Sequence, residues 1–275
     1  MDQTTDAMTH NDDRPALRVL QLTDPHLMAD PDGELLGVNT RASLDAVVAA
    51  VKQSGFSPDL ILATGDLAQD GTVAAYQAFA ERLAEFDCPA IWMAGNHDHQ
   101  TNLNHVIAGT DCNRRHLVAG GWQFVALNSA VPGHVHGELA EEELAFLESA
   151  LASEPHLPAL VTLHHHPVDI GCDWMANIGL RNRDAFWQVI DRWPQVRTVL
   201  WGHVHQELDQ VRKGVRLLAT PSTCIQFAEN ARKFTVADKP PGYRWFTLHP
   251  EGEFDTGVVR AVEFSYQLDM ESTGY

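Results

Sequence analysis

The sequence has few cationic side chains and few cysteines for its length. Its 275 residues carry 19 Lys and Arg against 37 Asp and Glu, so the formal net charge is −18. Such an acidic chain repels nucleic acid and anionic membranes, which argues against both as partners. The four cysteines lie far apart without a C-x-x-C pair, which excludes a disulfide framework and a zinc knuckle. An anionic substrate would need a local positive field, and bound metal ions could supply it.

A long hydrophobic run is also missing. Residues 1–14 are polar and acidic, without the apolar segment of a signal peptide, and no later run approaches the length that spans a bilayer. Hydrophobic residues make up 44% and charged residues 20%, which is typical of a globular enzyme. We therefore predict a cytoplasmic protein with a flexible tail over residues 1–15 and a single domain over residues 16–275.

Short apolar runs alternate with amphipathic segments along most of the chain, which is typical of a layered α/β fold. The predicted strands are residues 17–22, 60–63, 90–93, 124–128, 159–163, 198–201 and 216–220. The predicted helices are residues 42–53, 73–86, 141–151 and 183–191. Near the C-terminus, residues 244–249 and 258–264 alternate like antiparallel strands, so we expect mixed sheets instead of purely parallel ones.

Five polar motifs follow predicted strands, in the order D-P-H, G-D-L, G-N-H-D, H-H-H-P and G-H-V-H. Loops at the carboxyl edge of a layered sheet are where ligands of α/β proteins collect, so we expect these side chains to converge. In the spaced pairs Asp24/His26 and His203/His205, an extended backbone would let both members face one point. The mixture of Asp, Asn and His favours Fe, Mn, Zn or Co over Ca or Mg.

The charge count of this set suits two divalent ions. Two such ions carry four positive charges, and Asp24 and Asp66 return two negative ones. The remaining two positive charges suit a hydroxide and a phosphate ester, which are both anions. A pair of ions roughly 3.5–4 Å apart acidifies a bridging water and clamps a phosphoryl displacement. Asp66, central in the set, is the natural bridging ligand.

Each motif alone has a simpler interpretation. Gly65-Asp66 fits a helix N-cap, Asn96-His97-Asp98 fits a turn, and His203 and His205 fit partly buried structural histidines. Their occurrence together, each after a strand, carries the prediction. Residues 133–136 repeat the G-H-V-H pattern but lie in a Pro/Gly loop, so we assign them no metal. His136 remains a candidate for facing the active site.

In this order the motifs resemble those of the calcineurin-like metallophosphoesterases, D-x-H, G-D, G-N-H-D/E, H and G-H-x-H. Further segments are similar to the bacterial 3′,5′-cyclic AMP phosphodiesterases, the class III cyclic nucleotide phosphodiesterases. They are LGVNT (36–40), ATGDLAQD (63–70), GNHD (95–98), HGEL (136–139), LHHHP (163–167), LRN (180–182), GHVHQELD (202–209) and ATPSTC (219–224). The resemblance implies an α/β fold, a layered β-sandwich of two mixed sheets flanked by helices.

The resemblance also implies the role of each site residue. One metal would be held by Asp24, His26, Asp66 and His205, and the other by Asp66, Asn96, His164 and His203. His164 is preferred to His165 as the ligand because it comes first after its strand. His97 would be the catalytic residue that protonates the leaving oxygen or stabilises the transition state. The implied substrate contacts are Asn96, His97, His136 and His165.

The implied activity is hydrolysis of 3′,5′-cyclic AMP to 5′-AMP through a metal-bridging hydroxide, with two divalent ions per chain. Fe and Mn are the favoured metals, and Zn and Co are compatible with the ligands. The alternative is another phosphodiester, such as a glycerophosphodiester or a sugar-nucleotide lipid, or a phosphomonoester. Basic residues near the site would favour a monoester, and Arg181 and Arg183 are the close candidates.

Two other classes of function are disfavoured. A metal-stabilised binding module without catalysis would lack His97 or a ligand, and neither is missing. A nuclease would carry a basic stripe, which this acidic chain does not have. The sequence therefore favours a small-molecule cyclic nucleotide as the partner, and it leaves a homo-oligomer open.

Overall fold

The computed structural model describes residues 15–274, so nearly all of the predicted tail over residues 1–15 lies outside the described residues. In chain order the strands are β1 (Leu17–Leu22), β2 (Glu34–Leu35), β3 (Val38–Asn39), β4 (Leu60–Ala63), β5 (Ala90–Trp92), β6 (His116–Ala119), β7 (Trp122–Ala126), β8 (Ala159–Thr162), β9 (Val196–Trp201), β10 (Leu208–Arg212), β11 (Val215–Ala219), β12 (Gln226–Phe227), β13 (Val236–Ala237), β14 (Gly242–Leu248) and β15 (Phe254–Arg260). The α-helices are α1 (Thr40–Gln53), α2 (Val73–Leu83), α3 (Gln100–Ile107), α4 (Glu141–Ser153) and α5 (Arg183–Ile190).

The strands form two mixed sheets, which confirms the predicted layered α/β fold. The first sheet has the order β15-β14-β1-β4-β5 and the second the order β10-β11-β9-β8-β7-β6. In the first sheet β1 pairs parallel with β4 but antiparallel with β14. In the second, β7, β8, β9 and β11 are parallel, with β6 and β10 antiparallel at the edges. The carboxyl ends of the parallel strands carry the predicted site loops.

Apolar side chains between the two sheets hold the layers together. Leu62 and Phe246 of the first sheet share a buried cluster with Phe124, Leu160 and Leu200 of the second. Alternate residues of the first-sheet strands β1, β4 and β5 face outward into a second cluster, which α1 and α2 cover. Because both of its faces are covered, β4 is a continuous apolar run, whereas β1 also contains Arg18 and Gln21. Both strands have the bounds that the sequence predicts.

The helices begin where a polar side chain can cap the first free N–H groups. Asn39 accepts from the Ala42 N–H at the start of α1, and Thr72 accepts from the Ala75 N–H at the start of α2. Helix α3 was not predicted, because its eight residues bury only Leu103 and Ile107. Among residues 15–274 no helix is both long and apolar enough to cross a bilayer.

The predicted strand over residues 258–264 is wrong in its bounds. Strand β15 covers Phe254–Arg260, because its pairing with β14 runs from Leu248 opposite Phe254 to Gly242 opposite Arg260. Beyond that point the partner strand has ended, and the chain turns, with the Val262 N–H donating to the Arg260 carbonyl. The extent of an antiparallel partner, which is a non-local property, sets the end of this strand.

We expect Phe124→Ala to destabilise the protein strongly. Phe124 is fully buried between the sheets, so removing its ring should lower the free energy of unfolding by about 3–5 kcal/mol. Val118 in β6 is 45% exposed, so Val118→Ala should change it by less than about 0.5 kcal/mol. Urea unfolding of both variants measures the difference, and equal losses would contradict the position of the core.

Candidate metal centre

The predicted ligands converge at the carboxyl edge of the two sheets. Asp24 follows β1, Asp66 follows β4, His164 follows β8 and His203 follows β9, each within three residues of the strand end. Ligand atoms of Asp24, His26 and His205 lie within 4.8 Å of one another, and so do those of Asp24, Asp66 and His164. The convergence that the sequence predicts is therefore present in the fold.

The same oxygen of Asp66 faces two different groups of ligands. Asp66 Oδ2 is 3.2 Å from His164 Nε2 and 4.0 Å from His26 Nε2. On the other side, His205 Nε2 lies 3.3 Å from Asp24 Oδ1 and 3.2 Å from His26 Nε2. Asp66 thus stands between the His26/His205 pair and His164, which is the position that a bridging carboxylate requires.

The backbone at the ligands is left-handed and not extended, so the prediction of extended D-x-H and H-x-H pairs is wrong. Five of the predicted ligands have φ between 47° and 66°, namely Asp24, His26, Asp66, His203 and His205. Parallel backbone hydrogen bonds still join the first two loops, with the Asp24 N–H donating to the Gly65 carbonyl at 3.0 Å. The positive φ angles curl both loops around one point, whereas an extended chain would run past it.

Each histidine of the predicted set is oriented by a bond at one ring nitrogen. Nδ1 of His164 bonds the Thr64 carbonyl at 2.8 Å, and Nδ1 of His205 bonds the Ile225 carbonyl at 2.9 Å. The remaining two bonds are His26 Nδ1 to Gln69 Oε1 at 2.7 Å and His203 Nε2 to the Ile178 carbonyl at 3.0 Å. Such bonds fix the tautomer and direct the opposite nitrogen at a metal.

Burial and mutual charge determine the ionisation of these groups. Burial alone would raise the pKa of the Asp66 carboxyl, but the charges of His164 and His97 hold it well below its usual range. Burial lowers the pKa of His26 to about 3, which leaves the imidazole neutral. Burial would also lower the pKa of His164, but the Asp66 charge outweighs it and raises that pKa to about 9. A metal at Asp66 would therefore compete with a proton on His164.

Two buried polar atoms fit a metal better than a hydrogen-bonding role. Asn96 Oδ1 and His164 Nε2 have no hydrogen-bond partner among residues 15–274, although both are buried. His164 Nε2 and Asp66 Oδ2 are close but not aligned for a hydrogen bond, as when two atoms point at a third centre. The donor set, with oxygen and imidazole nitrogen on both sides of Asp66, fits a centre of two metal ions.

Glycines before the ligands leave room for these carboxylates. A Cβ on Gly95 would overlap Asp66 Oδ1 and the Asp66 backbone nitrogen. A Cβ on Gly202 would overlap Thr23 Oγ1 and lie 2.7 Å from Asp24 Oδ2. The glycines that precede Asn96 and His203 are thus required by close approach to the carboxylates of Asp66 and Asp24.

His97 lies beside this centre but is less buried than the Asp and His side chains of the predicted ligand set. Its backbone N–H donates to Asp66 Oδ1 at 2.8 Å, and its ring centroid is 5.0 Å from that of His26 in a T-shaped arrangement. Its side chain lines an open recess together with Asn96 and His203. We call the buried Asp24, His26, Asp66, His164, His203 and His205 the ligand layer. His97 is therefore placed between the ligand layer and the space that a substrate would enter.

The other two predicted substrate contacts are placed differently. His165 is fully buried, and its ring nitrogens bond Ser129 Oγ at 2.8 Å and the Val135 carbonyl at 3.2 Å. His136 is 7% exposed, and its neighbour Val135 lines the recess beside His97. Substrate binding by His136 and His165 stays a prediction, which these contacts do not support.

Sequence reasoning missed Asp98 as a positioning residue. Its carboxylate accepts backbone N–H groups from Gly95 at 2.8 Å, Ala68 at 3.0 Å and Leu67 at 3.2 Å, and so ties the Asp66 loop to the Asn96 loop. Burial and the nearby Asp66 charge raise the pKa of Asp98 to about 7. The sequence signal for Asp98 was its place inside the G-N-H-D motif. The backbone carbonyls that orient the histidines give no such signal in the sequence.

Comparisons with known proteins agree with this geometry. The sequence model of the calcineurin-like phosphoesterases matches residues 17–207. The chain is 42% identical over 257 residues to the 3′,5′-cyclic adenosine monophosphate phosphodiesterase CpdA of Pseudomonas aeruginosa, covering 94% of each chain. It is 44% identical over 261 residues to CpdA of Escherichia coli K12, covering 94% of this chain and 95% of that protein.

The fold is shared with a more distant solved structure. A dimetal phosphatase from Danio rerio superimposes with a TM-score of 0.68 at 14% identity, covering 94% of this chain and all of that one. At this identity the likeness concerns the fold, and it agrees with the two-sheet architecture described above.

We expect Asp66→Ala to lose both metal ions, because one carboxylate faces both halves of the centre. Elemental analysis of the purified variant, compared with the unchanged protein, measures the metal content per chain. His134→Ala is the matched control, since His134 belongs to the second G-H-V-H segment and should leave both ions in place. Two ions retained in Asp66→Ala, or loss of metal in His134→Ala, would contradict the assignment.

Proposed function

The chain belongs to the calcineurin-like phosphoesterase family, and from this we propose that it hydrolyses 3′,5′-cyclic AMP to 5′-AMP as a dimetal phosphodiesterase. The observation that carries the proposal is the buried Asp/His centre with Asp66 between its two halves and His97 beside it. Relatives named as cyclic AMP phosphodiesterases, similar over nearly the whole chain, support this substrate over other phosphodiesters.

The proposed ligands divide between two ions. Asp24, His26, Asp66 and His205 would hold one ion, and Asp66, Asn96, His164 and His203 would hold the other. The contacts support His164 over His165, because both ring nitrogens of His165 already bond within the protein, to Ser129 and Val135. Fe and Mn are the metals that we propose, since the mixed oxygen and nitrogen donors suit them, with Zn and Co as compatible substitutes.

When bound, the two ions supply the positive charge that lowers the pKa of a water molecule and stabilises the phosphoryl transition state. The chain's own residues provide the rest. The buried carboxylates and oriented imidazoles would hold the ions, and His97 lies beside them at the recess that a substrate would enter. We propose that His97 holds the proton that passes to the 3′ oxygen as the P–O3′ bond breaks. The oxygen of water stays on phosphorus and gives 5′-AMP.

The basic residues near the site support a diester over a dianionic monoester. Arg181 and Arg183 line a separate recess of about 370 Å³ together with His166. Among the described residues, neither arginine lines the recess that contains His97 and His203. A singly charged diester matches a centre without added guanidinium groups. We propose a small cyclic nucleotide as the partner, and the cytoplasmic location stays a prediction.

We expect Mn-reconstituted protein to hydrolyse cyclic AMP faster than a glycerophosphodiester, a sugar-nucleotide lipid or a phosphomonoester. Turnover of each substrate is measured side by side, and chromatography identifies the product of cyclic AMP. Release of 3′-AMP would reverse the proposed orientation of the phosphate. Intact cyclic AMP together with cleavage of another diester would overturn the substrate and leave the family assignment in place.

For His97→Ala we expect both metals to be retained and kcat to fall by roughly 10²–10⁴-fold, the usual contribution of a positioned acid. The loss should shrink with a nitrophenyl leaving group, which departs without a proton. His105→Ala, an exposed histidine in α3, is the matched control and should keep full activity. An equal loss for nitrophenyl and alkyl leaving groups would show that His97 does not act as an acid.

A further inference from the structure

An apolar recess of about 280 Å³ opens directly beside the metal centre. Six of its lining side chains are apolar, and it shares His97 and His203 with the centre. The apolar ones are Val135, Trp174, Met175, Ile178, Phe227 and Phe234. A ligand with its phosphate at the centre would therefore place its next group in this recess. The volume is near the lower end of the range for small-molecule pockets.

Aromatic rings form a fixed wall of the recess. The Trp174 and Phe234 ring centroids are 5.2 Å apart, and Trp174 lies 5.1 Å from Phe227, both in edge-to-face arrangements. Phe227 is 2% exposed and stacks on the His205 ring at 4.3 Å with an interplanar angle of 8°. The wall is thus joined to the ligand layer, while Trp174 and Phe234 are only partly buried and present surface to the recess.

Val135 of the second G-H-V-H segment also lines the recess, and we call this side chain the lip. Val135 is 52% exposed, yet its carbonyl is held by His165 Nε2 at 3.2 Å. That bond fixes the loop next to the ligand layer, since His165 adjoins His164. The segment that copies the ligand motif therefore contributes an apolar side chain at the mouth of the site.

We propose that this recess binds the base of the nucleotide and that stacking on Trp174 and Phe234 makes the protein prefer purine to pyrimidine cyclic nucleotides. The proposal rests on the proposed function of the adjoining centre. A base has two apolar faces and stacks on aromatic side chains, and a purine offers the larger face. The alcohol group of a glycerol diester has no flat apolar face that could stack on these rings.

Binding of 5′-AMP and of ribose 5-phosphate, which has no base, separates the recess from the metal centre. With Mn-reconstituted Trp174→Ala and Phe234→Ala we expect 5′-AMP to bind roughly 5- to 100-fold more weakly, the usual effect of losing one base-stacking ring. Ribose 5-phosphate should bind as it does to the unchanged protein. Calorimetry measures both, and Trp174→Phe should recover most of the 5′-AMP affinity. An equal loss for both ligands would overturn the proposal.

Val135→Asp tests the recess without touching the packed wall. A carboxylate at this lip should weaken 5′-AMP binding by roughly the same factor, because it places charge beside the stacked base. Val211→Asp is the matched control, since Val211 is 70% exposed in β10 and should leave binding unchanged. Unchanged 5′-AMP binding in Val135→Asp would overturn the role of the lip.

Steady-state kinetics distinguish failure of this inference from failure of the proposed function. We expect kcat/KM for cyclic AMP to exceed that for cyclic CMP, and Trp174→Ala to reduce the ratio at least tenfold. An equal kcat/KM for the two substrates in the unchanged protein would overturn the base preference while the phosphodiesterase stands. Base-dependent 5′-AMP binding without any cyclic AMP hydrolysis would support the recess and overturn the proposed function.

Discussion

Two carboxylates without access to water, those of Asp24 and Asp66, are the constraint on which the site depends. Buried charges are costly unless they are paired, and the groups around them are imidazoles whose ionisation is itself opposed by burial. His26 shows this directly, because burial leaves it neutral despite the neighbouring Asp66 charge. Cations at this point would satisfy the carboxylates, the neutral imidazole nitrogens and the unbonded Asn96 oxygen together. The stability of the centre and its capacity to hold metal therefore have one electrostatic origin.

The scaffold meets this constraint with strained backbone just beyond the carboxyl ends of parallel strands. Left-handed backbone at a residue other than glycine costs about 1–3 kcal/mol, and both members of the Asp24/His26 and His203/His205 pairs adopt it. These two loops are held in this form by the parallel strands that precede them and by the carboxylate of Asp24, which accepts the His203 backbone N–H. The Asp98 carboxylate joins the Asp66 and Asn96 loops in the same way. Metal binding can offset the free-energy cost of this strain, because the ions bind only the folded arrangement of the ligands.

The metal centre and the apolar recess beside it recognise different parts of a ligand. The metal centre recognises a phosphate, which many substrates share, whereas the wall of Trp174 and Phe234 recognises a flat apolar group. His97 and His203 border both regions, so a single ligand would engage them together. The duplicated G-H-V-H segment illustrates the division, since one copy lies in the ligand layer and the other brings Val135 to the recess. Identical residue patterns acquire different roles because only one of them follows a buried parallel strand.

The sequence by itself determined the fold class, most strands and the identity of the residues that converge at the centre. Strands β1 and β4 were predictable because both their faces are buried. The convergence of Asp24, Asp66, His164 and His203 was predictable because each follows a strand that ends at this edge. Three features could not be predicted: the end of β15, the left-handed loops, and the tautomers of His164 and His205. The first depends on pairing with β14 and the second on the close approach of glycines to carboxylates. The tautomers depend on the backbone carbonyls of Thr64 and Ile225, which a residue of any type would supply. Likewise, residues as distant in sequence as Val135, Trp174 and Phe234 became one recess only through the tertiary structure, because local patterns carry no information about which loops will face each other.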